Sequence, residues 1–204
     1  MEVGEHVRES EPVSRVPGWL LFLVLSALTV LVCLLSFLEE GGEAGLHAWV
    51  RDSARFATAY FGTAFVTSSL VRLWPLPWTL WLRRRRRAMG LSFAFAMTVH
   101  LAGLTALWAS GPEAFLQDTG LLTWLGGGTA YGFIYLLAFT SSDAAQRALG
   151  PRNWQRLHTF GGWVIWIVFT QTLTFGVLAG ERAQWVPALF MWGVAGLRLV
   201  TFRR

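Results

Sequence analysis

The sequence predicts an all-α integral membrane protein that folds as a six-helix transmembrane bundle. Of its 204 residues, 54% are hydrophobic, and the mean hydropathy of +0.46 is too high for an ordinary soluble domain. The apolar residues fall in long runs, and a run of roughly 20 such residues crosses a bilayer as a helix. Twelve tryptophans agree with this class, because indole rings favour the membrane–water interface. The single cysteine, Cys33, excludes an intrachain disulfide and a thiol-rich metal site.

The chain divides into a polar N-terminal tail and one membrane domain. Residues 1–17 form the tail, which has mixed charges and is expected to be disordered. It does not resemble a cleaved signal peptide, because no small-residue cleavage site follows the first apolar run. Residues 18–204 form the predicted six-helix transmembrane domain. Its helices are expected at about 18–38, 54–74, 88–109, 120–140, 154–180 and 185–202.

The distribution of arginines predicts the orientation of the bundle. Most arginines lie in the tail, in the second and fourth connections between helices, and at the C-terminus, whereas the opposite loops are mainly acidic. The positive-inside rule therefore places both termini in the cytoplasm. The arginine run 83–87 is interpreted as an anchor beside anionic lipid headgroups, with docking of an acidic partner protein as the alternative. No nucleic-acid-binding module accompanies the run, so no nucleic-acid partner is expected.

The connection TSSDAAQRALGPRNWQRLHTFGGW, residues 140–163, is predicted to be structured. Ser or Asp in TSSD can accept the first free amide protons of a short helix over AAQRAL. Asp143 and Arg147 are four residues apart and can pair on the surface of that helix. Gly150 and Pro151 end it, and Asn153 is expected to cap the next helix. The connection thus places His158 roughly one turn inside the fifth predicted helix.

Two histidines, His100 and His158, fall inside predicted membrane helices. A polar side chain in lipid is costly, so each is a candidate functional residue, although a structural hydrogen bond is the alternative. The third and fifth helices run in the same direction and can flank a common cavity. Imidazole is a common axial ligand of heme iron, and helical bundles hold cofactors between facing helices. Gly103, Gly161 and Gly162 follow these histidines by one turn and leave space for a flat ring or for another helix.

Two segments carry a resemblance to a known family. Residues 83–104, RRRRRAMGLSFAFAMTVHLAGL, and the connection 140–163 resemble the ferric reductase-like transmembrane family. The resemblance is strongest to the MsrQ-type (YedZ-like) heme-binding membrane subunits, in which a T-S-x-D start and a W-x-x-L-H end recur. It covers about residues 50–175 and is most specific in the connection.

The resemblance implies a cytochrome b-like subunit in the inner membrane of a bacterium, embedded among lipids. Such a subunit holds heme b, one group here, and moves electrons across the bilayer between a separate donor and acceptor. The implied partners are other protein subunits or a redox protein. His100 and His158 are the implied iron ligands, with Gly161 and Gly162 beside the ring. Arg55, together with Arg51, could neutralise the heme propionates by its charge.

The chain departs from the family pattern at one position. Family members often carry another histidine about thirteen residues after the second ligand, and Gln171 stands there. The two histidines also differ in expected depth by roughly 12 Å, at 1.5 Å per residue. One heme or none is therefore expected. A heme-free structural or assembly subunit of a larger complex is the main alternative, and a transporter or proton path is a third.

Overall fold

The computed structural model describes residues 17–202 and folds them into helices joined by short connections, without a strand in this range. The α-helices are α1 (Gly18–Glu40), α2 (Gly42–Leu73), α3 (Pro77–Ser110), α4 (Pro112–Asp118), α5 (Leu121–Phe139), α6 (Asp143–Leu149), α7 (Pro151–Leu178) and α8 (Trp185–Phe202). A 3-10 turn at Arg182–Gln184 leads into α8.

Within the described residues, four helical segments are long and apolar enough to cross a bilayer, namely Gly18–Glu40, Pro77–Ser110, Pro151–Leu178 and Arg182–Thr201. The predicted all-α class, with helices of transmembrane type, is therefore confirmed. The count of six spans and the cytoplasmic side of both termini stay predictions. The predicted N-terminal tail, apart from Pro17, lies outside the described residues, as do Arg203 and Arg204.

Two helices begin about three turns before their predicted starts, at residue 42 instead of 54 and at residue 77 instead of 88. Helix α2 begins at Gly42, because Gly41 and Gly42 have φ values of 67° and 52° and reverse the chain directly after α1. Helix α3 begins at Pro77, where a missing backbone N–H costs nothing in the first turn. The arginine run 83–87 consequently lies inside α3. Arginine is a good helix former, so its charge marks a membrane boundary without ending the helix.

The connection between α5 and α7 contains the predicted short helix α6. The Oγ of Ser142 accepts a hydrogen bond from the backbone N–H of Ala145 at 3.1 Å, which confirms the predicted cap. Gly150, with φ 74°, ends the turn, and α7 starts at the following residue. Asn153 therefore lies within the first turn of α7 and does not cap it. His158 lies about two turns inside the helix.

The charge pairing of this connection differs from the prediction. The carboxylate of Asp143 pairs with Arg87 of α3, with 3.0 Å between Nη1 and Oδ1. It does not pair with Arg147 on its own helix. A contact across helices replaces the local one because α3 extends beyond its predicted start and brings its arginines beside α6.

Helix α2 lies at the centre of the bundle and packs against α1, α3 and α8. Its aromatic residues join those of α3 and α7 in one cluster. The ring centroid of Phe61 lies 5.1 Å from that of Phe93 and 5.9 Å from that of Phe169, and Phe65 lies 5.3 Å away. These distances suit offset and edge-to-face packing, so the cluster ties three helices together.

Close packing of α2 on α3 depends on Gly103, and this gives a stability prediction. A Cβ at Gly103 would lie 2.6 Å from Cδ1 of Trp49. That indole is held by a hydrogen bond of 2.9 Å from its Nε1 to the carbonyl oxygen of Val99. We expect Gly103→Ala to lower the free energy of unfolding by about 1–3 kcal/mol, measured as a lower Tm in detergent by circular dichroism.

Gly90→Ala in the same helix is the matched control. No atom lies within 4 Å of the added Cβ there. Alanine also favours the helix over glycine by up to about 1 kcal/mol, so the Tm should stay level or rise. Equal Tm values for both variants would contradict the close contact at Gly103.

Candidate functional site

His100 lies on the face of α3 that packs against α2. Its Nδ1 is 3.0 Å from the carbonyl oxygen of Val50 and 3.2 Å from Oγ of Ser53. A carbonyl oxygen can only accept, so Nδ1 carries the proton and Nε2 keeps its lone pair. No hydrogen bond joins Nε2 to another described residue. Metal-binding histidines commonly donate their second ring N–H to a backbone carbonyl, so the donor chemistry of His100 suits an iron ligand.

The space expected beside Gly103 is occupied by α2. Trp49 and Val50 approach the glycine, with Cδ1 of Trp49 and Cγ2 of Val50 at 2.6 and 2.9 Å from a built Cβ. The glycine therefore permits close helix packing, which was one of the two predicted uses. A flat ring entering between α2 and α3 at this level would have to displace the indole of Trp49 from its bond to Val99.

His158 is half-buried at the opposite end of the bundle, beside Thr140, the residue that follows α5. Its Nε2 is 3.1 Å from Oγ1 of Thr140, and its ring stacks on Trp154 at 4.2 Å between centroids. Thr140 already donates its hydroxyl proton to the carbonyl of Leu136 at 2.6 Å. The hydroxyl oxygen must then accept from His158, so Nε2 of this residue carries the proton and Nδ1 is the free nitrogen.

Gly161 and Gly162 are buried where α7 meets its neighbours. A Cβ at Gly161 would lie 2.9 Å from Cδ1 of Phe133 and 3.1 Å from Leu137, both on α5. A Cβ at Gly162 would lie 3.4 Å from Phe65 of α2. Side chains of the bundle thus fill the space that these glycines leave.

The two histidines lie at different depths. Oη of Tyr131 donates to the carbonyl of Met97 at 3.0 Å and so sets this part of α5 beside α3. Thr140, the partner of His158, follows nine residues later, about 14 Å along α5. His100 lies beyond Met97 in the opposite direction. Iron bound by both rings would need their nitrogens within roughly 2 Å of it, so the described arrangement does not fit one heme shared by this pair.

Gln171 is exposed on α7, two residues after the end of the buried aromatic cluster at Phe169. Among the described residues, no group of three or more His, Cys, Asp and Glu side chains comes together as a metal site. His100 thus contacts α2, and His158 contacts the residue at the end of α5. No hydrogen bond within the described part of the chain links either histidine to Gln171.

Arg55 lies on α2, two residues after Ser53, and is already paired. Its Nη1 is 2.9 Å from Oδ1 of Asp52, which is only 8% exposed and also accepts from Oγ of Ser36 at 2.7 Å. Arg51 is 2.9 Å from Glu40. These pairs compensate the buried carboxylate of Asp52, and both arginines have protein partners where heme propionates were expected.

Sequence reasoning missed a second group of arginines, at the end of the bundle near His158. Nε of Arg86 donates to the carbonyl of Ala64 at 2.9 Å, and Nη1 of Arg198 donates to the next carbonyl, Phe65, at 2.6 Å. Arg72 donates to the carbonyl of Thr201 at 3.0 Å. Only the helix rotations show which member of the run 83–87 turns inward, so no sequence signal distinguished Arg86 from its neighbours.

Comparison with known proteins finds a partial relationship. The chain is 41% identical over 83 residues to the protein-methionine-sulfoxide reductase heme-binding subunit MsrQ of Azospira oryzae. The match covers 38% of this chain and 34% of that protein, so the chain spans about one third of the relative's length. No family model matches the chain. No solved structure matches it.

The hydrogen bonds predict opposite tautomers for the two histidines in the heme-free protein. His100 should carry its proton on Nδ1 because Val50 can only accept, and His158 on Nε2 because Thr140 has committed its own proton. Nitrogen NMR of protein labelled with 15N-histidine distinguishes these forms by chemical shift. His100→Asn and His158→Asn variants assign the signals, and the exposed His47 serves as the internal reference. The same tautomer at both positions would contradict the described contacts.

Proposed function

We propose that this chain is a membrane-embedded electron-transfer subunit that binds heme and passes electrons across the bilayer. The 41% identity over 83 residues to a protein named as a heme-binding subunit carries the proposal. The four helices of transmembrane length and apolarity support its location in a membrane. We propose the inner membrane of a bacterium as that membrane. The relative's name assigns it to a protein-methionine-sulfoxide reductase. We therefore propose a separate redox protein as partner, with a further protein as electron donor.

His100 is the residue that would hold the heme iron. Its bond to Val50 fixes the ring, directs the proton to Nδ1 and leaves Nε2 as the donor atom. When bound, a b-type heme supplies a metal that carries one electron at a time. The protein contributes the ligand, its orientation and a surrounding from which water is excluded.

His158, Gly161, Gly162 and Arg55 complete the proposed set of heme contacts. Each has a protein neighbour in the described arrangement, namely Thr140, Phe133, Phe65 and Asp52 respectively. Binding would exchange these neighbours for the cofactor, at the cost of the packing between α5 and α7. His100 is therefore the first proposed ligand, and His158 joins it on one iron only if the bundle rearranges.

A heme-free structural or assembly subunit is the second candidate. One observation favours it: both imidazoles are hydrogen-bonded within the protein, and side chains fill the spaces beside Gly103, Gly161 and Gly162. In this reading the histidines stabilise contacts between helices, as polar groups in a membrane interior must find partners.

Absorption spectra of the purified protein separate the two candidates. Protein from heme-replete cells should show a Soret band and, after dithionite, a sharp α band. We expect His100→Ala to reduce the bound heme at least about tenfold, since this imidazole would supply the protein's coordinate bond to the iron. The reduced pyridine hemochrome assay measures heme per chain, and His47→Ala is the matched control because its exposed ring lies at the outer end of α2.

The heme content of the parent protein and of the two histidine variants shows which residues bind the iron. Loss of heme in His100→Ala with retention in His158→Ala supports His100 as the ligand and removes His158. Loss in both variants, with Tm values like that of the parent protein, supports a shared iron in a rearranged bundle. Absence of the Soret band in the parent protein would overturn the heme proposal and leave the structural subunit.

A further inference from the structure

Helix α7 carries a groove along the face that begins at its first turn. The groove has a volume of about 570 Å³ and is lined by Arg152, Gln155, Arg156, Thr159, Phe160 and Trp163. These positions are three and four residues apart and so share one helix face. The face is polar over its first two turns and aromatic over the next two. From Arg152 to Trp163 the face rises by eleven residue steps, or about 16 Å, which matches the distance from a lipid headgroup to the upper acyl chain.

The polar half of the groove has uncompensated positive charge. The ion pairs of the described residues include neither Arg152 nor Arg156. Asp143, the acid in the neighbouring connection, is occupied by Arg87. Behind the groove, the guanidinium carbon of Arg198 lies 5.8 Å from the ring centroid of Trp163 and 4.1 Å from that of Phe65. Arg152 and Arg156 thus present two guanidinium groups on this open face, and neither is paired with a described carboxylate.

The apolar half of the groove is only partly covered by protein, since Phe160 packs edge-to-face on Phe133 of α5 at 5.6 Å between centroids. Phe160 is 62% exposed although it follows the arginines by one turn. Trp163 is half-buried, with its ring edge-to-face on Phe65 at 5.1 Å between centroids, so it forms a fixed wall. Tryptophan beside arginine at a helix end is the arrangement that membrane interfaces favour. Cationic and aromatic halves in this order suit a ligand with an anionic head and an apolar tail.

We propose that this groove is a binding site for an anionic phospholipid. The phosphate lies between Arg152 and Arg156, and an acyl chain lies along Phe160 and Trp163. Basic pockets on membrane helices bind such headgroups because guanidinium groups form paired, charge-assisted hydrogen bonds with phosphate oxygens. The site is independent of heme, since none of its lining residues is a proposed iron ligand.

Native mass spectrometry of the delipidated full chain in detergent tests the proposal. Dioctanoyl phosphatidylglycerol and dioctanoyl phosphatidylcholine are titrated separately, so that only the headgroup charge differs. We expect a clear preference for phosphatidylglycerol in the parent protein. Arg152→Gln/Arg156→Gln should weaken its binding about 30-fold, the sum expected for two arginines near a lipid phosphate. Phe160→Ala should weaken binding of both lipids because it removes part of the apolar wall.

Two further variants control for net charge and for geometry. Arg83→Gln/Arg84→Gln removes the same charge from two exposed residues of α3 and should keep the preference. Arg156→Lys keeps the charge but loses the paired guanidinium contacts, so its affinity should lie between those of the parent protein and of Arg152→Gln/Arg156→Gln. Tm measurements verify that each variant is folded, which is expected because Arg152 and Arg156 are exposed.

Three results would overturn the proposal. The first is equal binding of the two lipids by the parent protein, and the second is an unchanged preference in Arg152→Gln/Arg156→Gln. In the third, inorganic phosphate at the same concentration displaces the phospholipid completely, which would make the groove a site for free phosphate.

Discussion

The bundle depends on hydrogen bonds that neighbouring helices donate to the backbone carbonyls of α2. His100 of α3 bonds to Val50, Arg86 of α3 bonds to Ala64, and Arg198 of α8 bonds to Phe65. Each carbonyl oxygen has two lone pairs and can serve its own helix and a second donor together. A polar group that is packed away from water and lacks a partner is costly. The bonds thus fix the rotation of α3 and α8 about α2.

This constraint determines what the two histidines can do. The bond to Val50 holds His100 against α2 through Nδ1 and leaves Nε2 available. The bond to Thr140 uses Nε2 of His158 and leaves Nδ1 available. The residues are alike in sequence context but differ in chemistry because their helix neighbours differ. A cofactor site at His100 would be built mainly from α2 and α3. A site that includes His158 would require α5 and α7 to separate.

Much of the helical order could be predicted from hydropathy and turn residues. The ends of α1, α5 and α8 lie within a few residues of prediction, and Ser142 caps α6 as its type and position indicated. The starts of α2 and α3 were predicted too late because their first turns lie in the interface. These turns are not part of a long apolar run, so hydropathy does not reveal them. Successive side chains of a helix differ by 100° in direction. Only packing fixes the rotation of α3 about its axis, so the sequence could not predict that Arg86 points inward.

The packing role of the glycines could not be predicted from the local sequence either. A glycine beside a histidine can leave room for a ring or for another helix, and local sequence does not distinguish these uses. Trp49 lies far from Gly103 in sequence and supplies the deciding contact. Depth was easier to anticipate, because a helix has a constant rise. The expected separation of His100 and His158 follows from residue counts alone, and the contacts of Tyr131 agree with it.

The bonds between α2 and α8 also have a consequence for biosynthesis. Arg198 and Phe65 are 133 residues apart, and Thr201 and Ser69, joined by a hydrogen bond of 2.8 Å, are 132 apart. A chain made from its N-terminus can assemble α1, α2 and α3 early, but one side of α2 stays without its partner helix until α8 has been synthesised. Helix α8 therefore acts as a closing element, which encloses the central helix only after more than 130 further residues have been synthesised.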